Sequence, residues 1–326
     1  MAGWSYQWIA QLDWAPESWT APVDARRIPV DADVTDATAT QIRDLLALLD
    51  DDDGQAPLFV FDAGYDAIGL THALADEDVQ VLVRIRDDRV FYTDPPAPEP
   101  GTLGRPRRHG QRFKCGDPAT WPPPDDTLVA TDPRYGRVTV AAWGGLHPRL
   151  GRRGRWATYD QAPIIRGTVI RVEVEHLPKP TARAKKTLWL WWSGPGTPDL
   201  DLCFRAYLRR FDIEHTYRFA KNTLGWTTPR IATPEQADRW TWLVAAAYTQ
   251  LRLARGLIAD HRLPWEQPCD PAKLTPARVR RGFRRLGATI GTPARPPKSD
   301  TPGPGRPRGS RTGPRTRYPA IKKAAA

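Results

Sequence analysis

Tyr207, Arg210, Glu214 and Lys221 stand at offsets 0, 3, 7 and 14 within the segment LCFRAYLRRFDIEHTYRFAKNTLGW. At about 100° per residue, those offsets fall within roughly a 60° arc of a single α-helix. One helix face would then carry a phenol, a guanidinium, a carboxylate and an ammonium over about 21 Å. Cations of this kind hold phosphates, and a carboxylate oxygen suits a hard divalent metal. The row therefore fits a nucleic-acid backbone, and Arg218 adds a further cation to the same stretch. Amphipathic helices also carry mixed charges for no chemical purpose. Arg210–Glu214 and Glu214–Arg218 are ordinary i,i+4 pairs worth about 0.3–0.5 kcal/mol each.

A second acid stands where an element ends. PLFVFDAGYD is a short apolar run, Leu58 to Phe61, followed by Asp62 and then by Gly64 as a turn residue. A strand ending there would project the Asp62 carboxylate from its C-terminal edge. Around it the chain reads as an α/β pattern. GWSYQWIAQLDW and SWTAPVDARRIPV predict two aromatic and β-branched strands joined by a short turn. TDATATQIRDLLALLDDD predicts a helix capped by Thr35 or Asp36, AIGLTHALADE a second helix, and VQVLVRIRDDRVFY a further strand. Two strands, helix, strand, helix, strand imply a mixed sheet flanked by helices.

From residue 93 the pattern changes. DPPAPEPGTLGRPRRHGQRF and DPATWPPPDD are too rich in proline and glycine for long helices or central strands. RYGRVTVAAW, GTVIRVEVEHL and KKTLWLWWSG read as strands, so residues 93–187 form a β-rich insertion that returns to the main domain at Leu188 to Trp192. The helix with the four residues follows, from Asp201 to Leu224, and Gly225 stops it. Helices near 234–258 and 275–286 are apolar enough to cover one face of the sheet. The expected organisation is thus a core begun by 1–92, interrupted by 93–187 and completed by 188–291, with a disordered basic tail over 292–326.

The 326 residues carry a net charge of +11, which makes an acidic polymer the first partner to consider. The tail alone has nine Lys or Arg against the single Asp300, so it supplies +8 of that charge. Cys115, Cys203 and Cys269 lie far apart with no metal-ligand spacing, which excludes a disulfide scaffold or zinc site of the usual kind. No apolar run reaches the 18 or so residues of a membrane span, and no signal peptide is recognisable. A cytoplasmic, nucleoid-associated protein is expected, without a membrane or small-molecule substrate.

The Y-x2-R-x3-E-x6-K spacing resembles the YREK signature of bacterial insertion-sequence transposases of the DDE type. DAGY, a helix and then VLVRIRDDR are similar to the surroundings of that family's second aspartate, whose next strand ends in an R-x-R element. The resemblance covers most of residues 3–290 and implies an RNase H-like catalytic domain. It makes Asp62 and Glu214 the second and third catalytic carboxylates and metal ligands. It places Tyr207, Arg210 and Lys221, with Arg218, against the DNA strand. Two Mg²⁺ ions about 3.5–4 Å apart, or Mn²⁺ in their stead, would then serve DNA phosphoryl transfer at insertion-sequence ends. Double-stranded DNA, both element ends and target, is the implied partner, and two protomers would pair two ends as a homodimer.

The family's first aspartate has no equivalent among Asp13, Asp24, Asp31 and Asp33. Aligned on Tyr6-Gln7-Trp8, the strand that bears it would precede Met1. The chain is therefore expected to be the carboxy-terminal part of a transposase and inactive by itself. The alternatives are a decayed or domesticated DNA-binding remnant, and a nuclease of the same superfold that cuts without joining.

Three further residue groups complete the expectations. Trp189 and Trp191 share one strand face and should pack in the core, whereas Trp192 points to the other face and could stack on a DNA base. Arg306 and Arg308, within Gly-Arg-Pro-Arg-Gly, resemble an AT-hook that reads the minor groove. His72 and His215 are isolated and suit packing or capping.

Overall fold

A computed structural model describes residues 3–14, 19–49, 54–97, 106–178 and 185–290. The chain divides into two compact units, one of Met1–Asp31 with Phe211–Ala326 and the other of Ala32–Arg210. Arg306 and Arg308, like the expected disordered tail, lie outside the described residues.

The unit formed by Ala32–Arg210 is built on a six-stranded sheet. Its strands, in chain order, are β3 (Leu58–Phe61), β4 (Gln80–Ile85), β7 (Asp126–Asp132), β8 (Gly136–Leu146), β9 (Gly167–Val174) and β10 (Thr187–Ser193), while β1 (Ser5–Leu12) with β2 (Thr20–Ile28) and β5 (Val90–Tyr92) with β6 (Arg112–Lys114) form separate hairpins. The spatial order is β3-β4-β10-β9-β8-β7, with β3 and β4 parallel and every other pair antiparallel. The strands β7, β8 and β9 fall in the segment read as an insertion, and they are hydrogen-bonded into the same sheet as β4 and β10. This mixed sheet with its flanking helices is consistent with an RNase H-like fold.

Strand alternation sorts the side chains of β10. Leu190 and Trp192 face a core made with Leu82, Val140, Ile170 and Val172, closed by Leu200, Cys203, Phe204 and Tyr207 of α3 (Leu200–Arg209). Trp189 and Trp191 face the other way, as expected, and both are buried. Trp189 sits among Phe113, Trp121 and Trp143. Trp191 stacks on Phe91 with ring centroids 5.2 Å apart and donates its indole N–H to Thr71 Oγ1 at 2.9 Å. Phe91 and Phe113 come from a small hairpin, β5 (Val90–Tyr92) with β6 (Arg112–Lys114), which lies over this face. Thr71 belongs to α2 (Ala67–Ala73), the crossover helix between β3 and β4. The remaining helix, α1 (Val34–Leu46), packs on α2 and is capped by Asp33, which accepts from the N–H groups of Thr35 and Asp36. The cap is thus two or three residues earlier than the expected Thr35 or Asp36, because an extended Asp33 reaches both orphan donors.

The other unit starts with the predicted hairpin, β1 (Ser5–Leu12) and β2 (Thr20–Ile28), which pairs only with itself among the described residues. Helices α4 (Asp212–Asn222), α5 (Pro234–Ala254) and α6 (Pro276–Ile290) complete it. The apolar faces of α5 and α6 meet this hairpin and each other: Trp19 packs with Tyr248, Leu251, Leu274 and Val279, and Trp8 with Ala245. Several polar groups inside are paired. The Trp19 indole donates to the Leu274 carbonyl at 2.7 Å, and Thr216 Oγ1 joins Thr20 Oγ1 and the Tyr248 hydroxyl at 2.9 and 3.1 Å. Gly225, at φ 77°, ends the segment after α4 in a left-handed conformation that favours glycine.

Candidate nucleic-acid site

The positions of the expected residues follow from these elements. Parallel pairing places Phe61 opposite Val83, so Asp62 leaves the sheet level with Arg84, the first arginine of the R-x-R element. The chain turns at once: the Asp62 carbonyl accepts from Tyr65 N–H at 3.2 Å, and its side chain accepts from Ala63 N–H at 2.7 Å. Gly64 is not left-handed, so this turn does not depend on glycine's extra freedom.

Asp62 remains 46% exposed and faces a cation, Arg210 Nη2, at 3.5 Å; the Arg210 side chain is only 12% exposed. The same guanidinium lies 5.7 Å from the centroid of the Tyr207 ring, a cation–π distance. Tyr207 is buried in the core at 4% exposure, so it braces Arg210 from below and is not the exposed DNA contact that the spacing suggested. Burial pushes the Tyr207 phenol up, with Arg84 and Arg210 opposing and Asp62 adding to the rise. Tyr65 is also pushed up, by burial and then by Asp62, against Arg210.

The structure corrects the single helix face. The helix is interrupted at Arg210–Phe211, where Glu214 N–H bonds to the Phe211 carbonyl at 3.1 Å in a tighter i→i+3 turn. α3 therefore carries Tyr207 and ends at Arg210, whereas Glu214, Arg218 and Lys221 belong to α4 in the other unit. There the three side chains are exposed and recur at 0, 4 and 7, one face of α4. The Lys221 ammonium lies 5.9 and 5.8 Å from the ring centroids of Tyr217 and Trp226. Within its unit, the structure thus brings Asp62, Arg210 and Tyr207 together, and separately Glu214, Arg218 and Lys221.

Trp192 is also corrected. It is 3% exposed, and its indole donates to Gln80 Oε1 at 3.1 Å. Alternation put it on the opposite face from Trp191, but α3 covers that face, so no base can reach it. His72 bonds to the Tyr159 hydroxyl at 2.8 Å and packs on Trp156, the structural role expected; His215 is exposed on α4.

Residues that the sequence reading passed over lie beside Asp62. A cleft of about 590 Å³ opens from Ala63 and Tyr65 past Arg84, Arg86 and Arg89 to Arg149 and Trp156. A second hollow shares Tyr65, Asp66 and Trp156 with it and continues to Arg153 and Arg155. The R-x-R motif carried a signal for Arg84 and Arg86. Nothing in the sequence links Arg149 to them, since it arrives from the loop after β8.

Carboxylate oxygens are the right donors for Mg²⁺. Yet Asp62 already has a guanidinium partner, and among the described residues no three His, Cys, Asp or Glu side chains form a metal-holding group. As placed, the described side chains do not form a two-metal cage.

A histidine pair, His147 buried and His109 half-buried, flanks the β5–β6 hairpin. His109 Nδ1 and His147 Nε2 are 2.9 Å apart, with Asp94 3.6 Å from His147 Nδ1. Burial holds both imidazoles below their ordinary range, helped at His109 by Arg108 and Arg149. At His147 the neighbouring His109 and Arg166 push the same way, while Asp94 opposes them. Because the folded state binds these protons less readily than the unfolded chain, stability is full above about pH 6.5 and falls as the pH drops below it. The Asp94 carboxyl is held low by Arg166, so its own contribution fades only below the ordinary carboxylate range. The denaturation midpoint is expected to be lower at pH 5.5 than at pH 7.5, with a smaller gap in His147→Asn. A flat midpoint over that interval would contradict the burial of the pair.

Residues 1–149 match the family model described as DDE superfamily endonuclease. The match includes Asp62 and stops short of Tyr207, Arg210 and Glu214. No curated protein matches the chain. The family match supports a DDE-type transposase or nuclease domain, a class that acts on DNA and generally uses divalent metals. No helix among the described residues is long and apolar enough to cross a membrane.

Proposed function

We propose that the chain is a DNA-end-processing polypeptide of the DDE transposase type, with the YREK-like residues serving insertion-sequence ends. The observation that carries this reading is the Asp62 edge. A carboxylate at the C-terminal end of β3 lies beside Arg210 and level with Arg84, inside the segment that matches the endonuclease family. Asp62 and Glu214 are its reactive carboxylates, each on its own unit. Arg210, Arg218 and Lys221 hold and neutralise phosphates, the electrostatic part of phosphoryl transfer. The Mg²⁺ or Mn²⁺ that the resemblance implies would supply Lewis acidity to such chemistry, but the described side chains as placed do not hold it. Double-stranded DNA is the partner, with two protomers pairing two ends.

Only two of the three carboxylates of such a site are matched, so the purified chain is expected to bind duplex ends and leave them uncut. Mg²⁺-dependent cleavage that disappears in Glu214→Gln would overturn this and make the chain an active nuclease. The second reading, DNA binding without any catalytic use of the acids, is favoured by one observation: Asp62 is occupied by Arg210.

Anisotropy titrations in EDTA separate the two. If Asp62 and Glu214 face the DNA strand, they repel its phosphates, and Asp62→Asn with Glu214→Gln should tighten binding about fivefold, about 1 kcal/mol. Asp76→Asn with Asp126→Asn, a pair of exposed acids elsewhere, should not. Equal behaviour of the two double variants would remove both acids from the site.

A further inference from the structure

We infer that the arginine-lined cleft beside Asp62 seats the phosphates of a single DNA strand, an assignment that rests on the DNA-processing function proposed above. Four guanidinium side chains, Arg84, Arg86, Arg89 and Arg149, line one concavity of about 590 Å³. Among the described residues, the acids that line it are Asp66 and Asp88. Among the described residues, none of the four arginines has a carboxylate at ion-pair distance, whereas Arg43, Arg155, Arg166 and Arg278 elsewhere in the chain are paired. Like charges gathered in excess of counter-charge repel one another, and an anion bound among them lowers that cost.

The geometry selects the anion. Arginine forks match phosphate oxygens bidentately, and several such forks spaced around a groove follow a chain of phosphates better than a lone ion. A cleft of this size is in the range of small-ligand sites, about 300–1,000 Å³, and a duplex cannot enter it. One or two nucleotides of one strand can. Its walls include Trp156 and Phe91, both nearly fully buried. The cleft begins at Ala63 and Tyr65, immediately after Asp62, so a strand lying in it runs past that carboxylate.

The test compares the full chain with Arg86→Ala/Arg89→Ala/Arg149→Ala and with Arg134→Ala/Arg230→Ala/Arg239→Ala. The second set removes the same charge from exposed positions that do not line the cleft, so the contribution of the basic tail cancels. Binding is read by anisotropy at several salt concentrations on a blunt duplex and on the same duplex with a single-stranded overhang. The cleft variant should lose at least about tenfold more affinity for the overhang substrate than the control variant. Its log–log salt slope should fall by about 2, since each single-strand phosphate contact contributes about 0.7. On the blunt duplex the two variants should agree. All six side chains replaced are exposed, and matching thermal melts verify the fold.

A cleft variant that follows the control on the overhang substrate overturns the assignment, as does an equal loss on blunt and overhang DNA. Inorganic phosphate that erases the overhang preference of the unaltered chain at millimolar concentration would reassign the cleft to a small anion. An unaltered chain that binds neither DNA overturns the proposed function together with this inference, so the two failures are distinguishable.

Discussion

Replacing Trp191 by alanine is expected to destabilise the Ala32–Arg210 unit by about 4 kcal/mol, the usual scale for emptying a buried tryptophan site. Trp191 is fully buried on the central strand β10, between Val83 of β4 and Val169 of β9. Its ring stacks on Phe91, and its N–H is satisfied by Thr71 of α2. The site cannot collapse from the side of Gly167 without backbone movement, because that glycine already lies against the indole: a Cβ there would meet Trp191 Cζ2 at 2.4 Å. Domains are stable by about 5–15 kcal/mol in all, so the variant should sit near its unfolding threshold at 37 °C. Trp191→Phe keeps much of the ring area and should cost about half as much. Urea denaturation followed by far-UV circular dichroism reads both. A loss below about 1 kcal/mol for the alanine variant would mean that the aromatic layer is not packed as described. The consequence reaches the site, since β4 carries Arg84 one residue beyond the Val83 that pairs with Trp191.

Raising the salt from 50 to 200 mM is expected to weaken DNA binding by roughly a thousandfold, the scale for six or more phosphate contacts. The charge that drives this is unevenly placed. Of the net +11, residues 292–326 hold +8, leaving +3 for all the rest. Arg306→Ala with Arg308→Ala should therefore lower the magnitude of the salt slope by about 2, at about 0.9 per contact. If the Gly-Arg-Pro-Arg-Gly segment also reads the minor groove, the same pair of changes should weaken binding to A·T-rich duplex more than to G·C-rich duplex. A salt effect below tenfold for the unaltered chain would argue against electrostatic DNA binding altogether.

The elements were largely legible from local pattern. Aromatic and β-branched residues marked the hairpin, β4 and β10, a short apolar run marked β3, and helical patterning marked the segments that become α1, α2, α5 and α6. The composition pointed to an acidic polymer, and the endonuclease-family match over residues 1–149 agrees with DNA as that polymer. These features depend on neighbours within a turn or a strand, which the order of residues specifies directly.

What residues do at a distance was decided by the tertiary structure. Period two separated Trp191 from Trp192, but it is silent on whether a face is covered. α3 closes one side and the β5–β6 hairpin the other, so both indoles are buried. Spacing put Tyr207 to Lys221 on one helix face, but a continuous period cannot register the tighter turn at Phe211 that divides the row between two units. Tyr207 then becomes a core residue beneath Arg210, and Arg210 finds Asp62, 148 positions earlier in the chain. Arg149 joins Arg84, Arg86 and Arg89 only because the loop after β8 returns to the end of β4. Contacts of that kind arise from packing an entire sheet with its cover, and no window of sequence contains both partners.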